Sequence, residues 1–205
     1  NDEFADFELE VEWRLSGTMP NGGIYYRELP TTEGDGNEYQ LVDPNHRFAN
    51  SPLVRSGAFY GVLPTKDGIE LPLGQWNTAK IVCKDSVIEH WLNGQLLFTS
   101  DTESDAWKKA LSDSTLKQSK DRIGTAKKGH ILLQSQTGEV AFRKIRVRRI
   151  SDSERSSSDS AAILTDLDRL ASGQWISLVT PDFEVPNPAQ MRLIKYGVEI
   201  DSTNL

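Results

Sequence analysis

Between Phe7 and Leu15 the chain alternates without a break: Phe7, Leu9, Val11, Trp13 and Leu15 are apolar, while Glu8, Glu10, Glu12 and Arg14 between them are charged. A repeat of two fits a β-strand with one dry and one wet face, because a helix returns to the same face only every 3.6 residues. The pattern recurs. From Thr78 to Phe98 the runs IVCK and VIEHWL lead into Asn93-Gly94 and then QLLF, and Asn-Gly between apolar runs is the strongest short signal for a tight hairpin. Val140 to Val147 also alternates, but its phase slips between Phe142 and Ile145, which a bulge at Arg143-Lys144 explains. The chain therefore reads as all-β.

Helical signals are few. Ser104 is placed to cap a short helix in which Trp107, Ala110 and Leu111 share a face and which ends before Lys120. A second short helix is expected over 161–170, where Ile163, Leu164, Leu167 and Leu170 repeat at helical spacing. Residues 151–160, SDSERSSSDS, have nothing to bury and read as a linker. GQWISL and MRLIKYGVEI then return to strand character, with Pro181, Pro186 and Pro188 holding the intervening segment extended. The expected organisation is a main sandwich body over 1–150, the linker, and a segment 161–205 too short to fold alone. That segment either completes the same sandwich in permuted order, its last ribbon closing beside the first, or belongs to a neighbouring copy.

With a formal net charge of −7, the average field repels a phosphate backbone and argues against nucleic acid as partner. The basic run Arg143, Lys144, Arg146, Arg148 and Arg149 has strand spacing and reads as a solvated face. No apolar run reaches the roughly 18 to 20 residues that span a bilayer, and no signal peptide is visible. The single cysteine, Cys83, permits no intrachain disulfide and sits in a strand as a buried thiol.

Seven segments form an ordered set: NGGIYYRE at 21–28, EYQLVD at 38–43, SGAFYGV at 56–62, GQWN at 74–77, HWLNG at 90–94, ILLQ at 131–134 and FRKIRV at 142–147. Together they resemble the bacterial 3-keto-disaccharide hydrolase family, formerly a domain of unknown function. The tail segments are similar to the family's opening strands, although here they come last. The resemblance implies a concanavalin/laminin-G-like β-sandwich, or jelly roll, with one or two short helices, a carbohydrate ligand and an extracytoplasmic bacterial location.

Strand parity places Glu38 and Gln40 on one face, Tyr25 with Arg27 on another, and Leu132, Gln134 and Gln136 on a third. Such carboxyl, amide and phenol groups suit sugar hydroxyls. The resemblance then implies a catalytic set of Glu38 as base, Arg27 stabilising an enolate, and Tyr60 or His90 protonating the leaving group. Tyr25, Gln40, Asp43, Gln134 and Gln136 would bind substrate. Each has a plainer alternative. Glu38 and Gln40 also fit the wet face of an edge strand, Arg27 an ion pair, Tyr60 a core ring with its hydroxyl at the rim, Asp43-Pro44 an Asx turn, and His90 a structural strand histidine. His46 and His130 read as loop or strand-edge residues.

No two histidines lie at metal-ligand spacing, so the sequence indicates no cofactor, while leaving a divalent metal and the oligomeric state open. Gln136 stands where the family tends to have a histidine, and an amide cannot shuttle a proton. Two functions follow as expectations: a hydrolase or lyase acting on 3-keto-glycosides, and a non-catalytic carbohydrate-binding or surface-interaction module.

Overall fold

A computed structural model describes residues 3–29, 36–47, 49–69 and 71–151, together with the strand segments Ile176–Ser177, Gln190–Ile194 and Gly197–Ile200. Two long strands organise it. β1 (Phe7–Glu28) and β6 (His130–Arg149) run antiparallel along their whole length. At its amino-terminal half β1 also pairs with β3 (Asn77–Lys84), which continues through β4 (Val87–Leu92) to β5 (Gln95–Asp101). At its carboxy-terminal half β1 pairs instead with β2 (Asn37–Val42). The sheet curls so that these two ends face each other as an all-β, jelly-roll-like sandwich.

The core lies between them. Phe7, Leu9, Val11, Trp13 and Leu15 of β1 are buried with Ala79, Ile81 and Cys83 of β3, Tyr39 and Leu41 of β2, and Leu133, Phe142 and Val147 of β6. The alternation in Phe7–Leu15 is thus the inward face of a central strand. Burial pushes the Cys83 thiol up to about 12, which leaves it an inert apolar side chain. Outward, Glu8 pairs with Arg148 at 2.9 Å, Glu10 with Arg146, and Glu12 with both Arg143 at 2.7 Å and Lys144 at 2.9 Å. The basic run on β6 is one side of an ion-pair ladder. The expected bulge is present: Glu10 faces Arg146 while Glu12 faces Arg143, and Lys144 adopts a positive φ of 48°.

α1 (Asp105–Asp113) is capped by Ser104, whose Oγ accepts from the Trp107 amide at 3.1 Å, and it buries Trp107 and Leu111. No helix among the described residues is long and apolar enough to cross a membrane. The second helix expected over 161–170, and the Ser-rich stretch beyond its first residue, fall outside the described residues. Beyond them β7 (Ile176–Ser177) and β8 (Gln190–Ile194) pair with β6, and β9 (Gly197–Ile200) pairs with β8. β7 and β8 therefore lie one strand away from β1, across β6, and β9 lies two strands away. A strand has only two edges, and over Phe7–Trp13 those of β1 are taken by β3 and β6.

Candidate functional site

Where β2, β1 and β6 lie side by side, their strand register collects polar side chains on the face turned away from the core. Tyr25 stands opposite Glu38, and Gly23 stands between Gln40 on one side and Gln134 on the other. The alternate residues Ile24, Tyr26, Tyr39, Leu41 and Leu133 point into the core. The result is a cleft of about 230 Å³ floored by Asn21, Tyr25, Glu38, Gln40, Gln134 and Gln136. Tyr60 and the row Leu116, Ser119 and Ile123 wall it, and Gly36 completes the lining. That volume is below the roughly 300–1,000 Å³ of drug-sized sites and suits one small polar ring.

Gly23 makes the arrangement sterically permissible. A Cβ at this position would lie 2.5 Å from Oε1 of Glu38, so the missing side chain lets the carboxyl group lean across β1. The amides are locked in a row. Nε2 of Gln40 donates to Oδ1 of Asn21 at 2.9 Å, and Nδ2 of Asn21 donates to Oε1 of Gln136 at 2.7 Å. The Tyr25 hydroxyl is hydrogen-bonded to both the Glu38 carboxyl group and the Gln134 side chain.

Glu38 is the chemically unusual group. Burial pushes its carboxyl up to about 8; the hydrogen bond with Tyr25 opposes this and the charge of Glu28 adds to it. Burial also raises the Tyr25 phenol, reinforced by the negative charge of Glu38, and raises Tyr60 in the same way. Both tyrosines are therefore hydroxyl donors across the physiological range. None of the described lining residues carries a positive charge. Among the described residues no three His, Cys, Asp or Glu side chains are grouped to hold a metal ion.

Of the residues singled out from sequence, the structure brings together Glu38, Tyr60, Tyr25, Gln40, Gln134 and Gln136. It places Arg27, His90 and Asp43 elsewhere. Arg27 is 4% exposed and turned into the protein, with Nε on Ala5 O at 2.8 Å, Nη1 on Asp85 O at 2.9 Å and Nη2 paired with Asp6 at 3.1 Å. Its φ of 49° coincides with a register break between Tyr25 and Glu28, so it does not share the face of Tyr25 and cannot meet an enolate in the cleft. His90 is 0% exposed among Tyr26, Tyr39, Phe59 and Phe98. Its Nδ1 lies 2.9 Å from Gly57 O and its Nε2 2.8 Å from the Tyr26 hydroxyl. A carbonyl only accepts, so Nδ1 carries the proton and Nε2 accepts from Tyr26. Burial pushes the ring down to about 3, hence His90 is a neutral core group and not a proton donor to a leaving group. Asp43 closes an Asx turn, its Oδ1 accepting from the Asn45 amide at 2.8 Å, and it does not line the cleft.

Asn21 was not singled out, although it opens the NGG segment and is the hinge of the amide row. Nor were Leu116, Ser119 and Ile123, which reach the cleft only through tertiary packing.

The model of a protein family described as 3-keto-alpha-glucoside-1,2-lyase-like domain matches residues 1–148. The chain belongs to that family. Within the 3-keto-alpha-glucoside-1,2-lyase-like group, a curated relative is the 3-keto-disaccharide hydrolase of Bacteroides thetaiotaomicron, 28% identical over 172 residues that cover 71% of this chain. The chain spans only 59% of that relative's length. Two crystal structures from Parabacteroides distasonis ATCC 8503, each described as a "putative glycosyl hydrolase", share the fold. One superposes with a TM-score of 0.64 at 22% identity, covering 73% of this chain and 72% of the other. The second gives 0.56 at 24% identity, covering 73% and 80%.

Proposed function

We propose that the cleft binds a neutral 3-keto-glycoside and cleaves it by elimination followed by hydration, with Glu38 as the group that moves the proton. The observation that carries this is a single buried carboxyl, held by Tyr25 in a site otherwise lined by neutral donors and acceptors. A ketone at C3 of a pyranose acidifies the proton on C2. In its ionised form Glu38 takes that proton, the C1–O bond breaks as the C1=C2 double bond forms, and the leaving oxygen needs a proton in return. Water then adds at C1, its proton passing to the group that protonated the leaving oxygen, and the C2 proton is restored from Glu38.

The developing charge on the C3 oxygen requires donors already in place. With Arg27 turned inward, these are the second amide hydrogen of Gln40 and the Gln134 amide. The half-buried Tyr60 hydroxyl is the group suited to protonate the leaving oxygen, since it stands at the cleft wall beside Glu38. A carboxyl poised near 8 suits proton traffic in both directions, because general acid–base efficiency is greatest when the group titrates near working pH. The family membership and the 3-keto-disaccharide hydrolase relative support the substrate class.

The test is Glu38→Gln assayed on a 3-keto-glucoside. The expected result is a loss of roughly 10²- to 10⁴-fold in kcat/KM with an unchanged far-UV spectrum. In the native protein kcat/KM should rise with pH through about 8. Turnover of the variant at the native rate would overturn the assignment. Binding of the glycoside by the native protein without any product would instead favour the non-catalytic module, a reading to which Gln136 in place of the family's histidine contributes.

A further inference from the structure

The cleft is neutral, but one of its walls belongs to a segment whose charge is opposite to that of the protein. Across residues 103–130 most lysines are matched by acids: Lys108 by Asp105 at 3.6 Å, Lys109 by Asp113 at 2.6 Å, Lys127 by Glu103 at 2.5 Å and Lys128 by Glu3 at 2.6 Å. Lys117 and Lys120 have no ion-pair partner among the described residues, in a chain whose acids outnumber its bases by 30 to 23. Both are exposed. They belong to a single 3-10 turn, Lys117–Ser119, with Lys120 at its end. In such a turn side chains three apart eclipse one another. Leu116 and Ser119 therefore share one side of the turn, which lines the cleft, and Lys117 and Lys120, each one residue further on, share the next side, exposed to solvent and outside the cleft lining.

Resting on the reading of the cleft as a 3-keto-glycoside site, we infer that Lys117 and Lys120 are specificity-determining residues that favour a substrate whose leaving group is anionic, such as an aglycone bearing a carboxylate. The sugar ring itself must be uncharged, because the floor offers it Glu38 and amides but no described cation. The aglycone projects out of so small a cleft and meets the rim. Two exposed ammonium groups with no ion-pair partner among the described residues, acting through water on a projecting aglycone, amount to a roughly three- to tenfold preference at low salt.

The experiment compares kcat/KM for the 3-keto-glucosides of a neutral phenol and of a carboxyphenol, in the native protein and in the double variant Lys117→Glu/Lys120→Glu, at about 0.05 and 1 M salt. The expected result is a three- to tenfold preference for the anionic glucoside that collapses at high salt. In the variant the preference disappears or reverses, while the neutral glucoside is cleaved within twofold of the native rate. Equal kcat/KM for the two glucosides in the native protein, or a preference that the double variant leaves intact, overturns the inference while leaving the cleft's function standing. If neither glucoside is cleaved, the same pair is compared by equilibrium binding. A carboxylate-dependent gain in affinity then sustains the rim and refutes only the chemistry, and equal or absent binding refutes the rim.

Discussion

A carboxyl group that stays protonated to about pH 8 inside the fold should make Glu38 a source of instability, and removing it should show how large that is. In the unfolded chain the group titrates near 4.5, while in the folded protein burial carries it to about 8. Below 4.5 both states hold the proton and the position contributes no pH dependence. As pH rises above that, the unfolded chain releases its proton and the folded one does not, so stability falls by about 1.4 kcal/mol for each pH unit. The fall ends near pH 8, where the folded protein also ionises, after a total of roughly 4–5 kcal/mol. Gln has nearly the same shape, can accept from Tyr25 and has no proton to lose. Glu38→Gln should therefore match the native protein near pH 4.5, exceed it by roughly 3 kcal/mol at pH 7 and by roughly 4–5 kcal/mol at pH 9. Urea denaturation at these three pH values reads the difference directly from midpoints at constant m. The difference between the two proteins cancels every other titrating group. A difference that does not grow with pH would mean that Glu38 is solvated or ionised in the folded state, and the cleft as described would be wrong. Gains in stability at the expense of activity are the expected pattern where a fold holds a strained functional group.

Two further substitutions separate the fold from the site. Arg27→Ala removes the guanidinium that pairs with buried Asp6 at 3.1 Å and should cost roughly 3–5 kcal/mol in denaturation experiments, yet leave kcat per folded molecule within about threefold. A collapse of kcat with stability intact would return Arg27 to the chemistry. Gly23→Ala places a methyl group 2.5 Å from the present position of Glu38 Oε1, so it should lower kcat/KM by at least about tenfold through displacement of the base. Native activity in that variant would show that the carboxyl group does not lean over β1.

Much of this arrangement is legible in the sequence, and the reasons differ from residue to residue. The alternation in Phe7–Leu15 could only be a strand buried on one face, and the slip between Phe142 and Ile145 could only be resolved by an extra residue. Parity within EYQLVD and ILLQSQ put Glu38, Gln40, Gln134 and Gln136 on outward faces, and the register of three adjacent strands turned these faces into one floor. The same logic failed at Arg27, because a non-glycine residue at positive φ reverses the direction of its side chain without leaving a mark in the alternation. At His90 the parity was informative and was outweighed by the chemistry of the residue type: in VIEHWL the histidine shares its phase with Ile88 and Leu92, both buried. The wall formed by Leu116, Ser119 and Ile123 was beyond reach, since it depends on where the segment after α1 packs and not on any local pattern.

The two long strands also set the order in which this chain can become a protein. Phe7 finds its partner at Arg149, and Glu28 at His130, so β1 has only one of its edges covered until synthesis has reached β6. Loops of that length close slowly, and an apolar ribbon with one open edge invites partners from other chains in the interval. The charges on Glu8, Glu10 and Glu12 that later meet the arginines of β6 stand on that waiting ribbon as mutual repulsion between nascent copies, which gives the ladder a role before it exists.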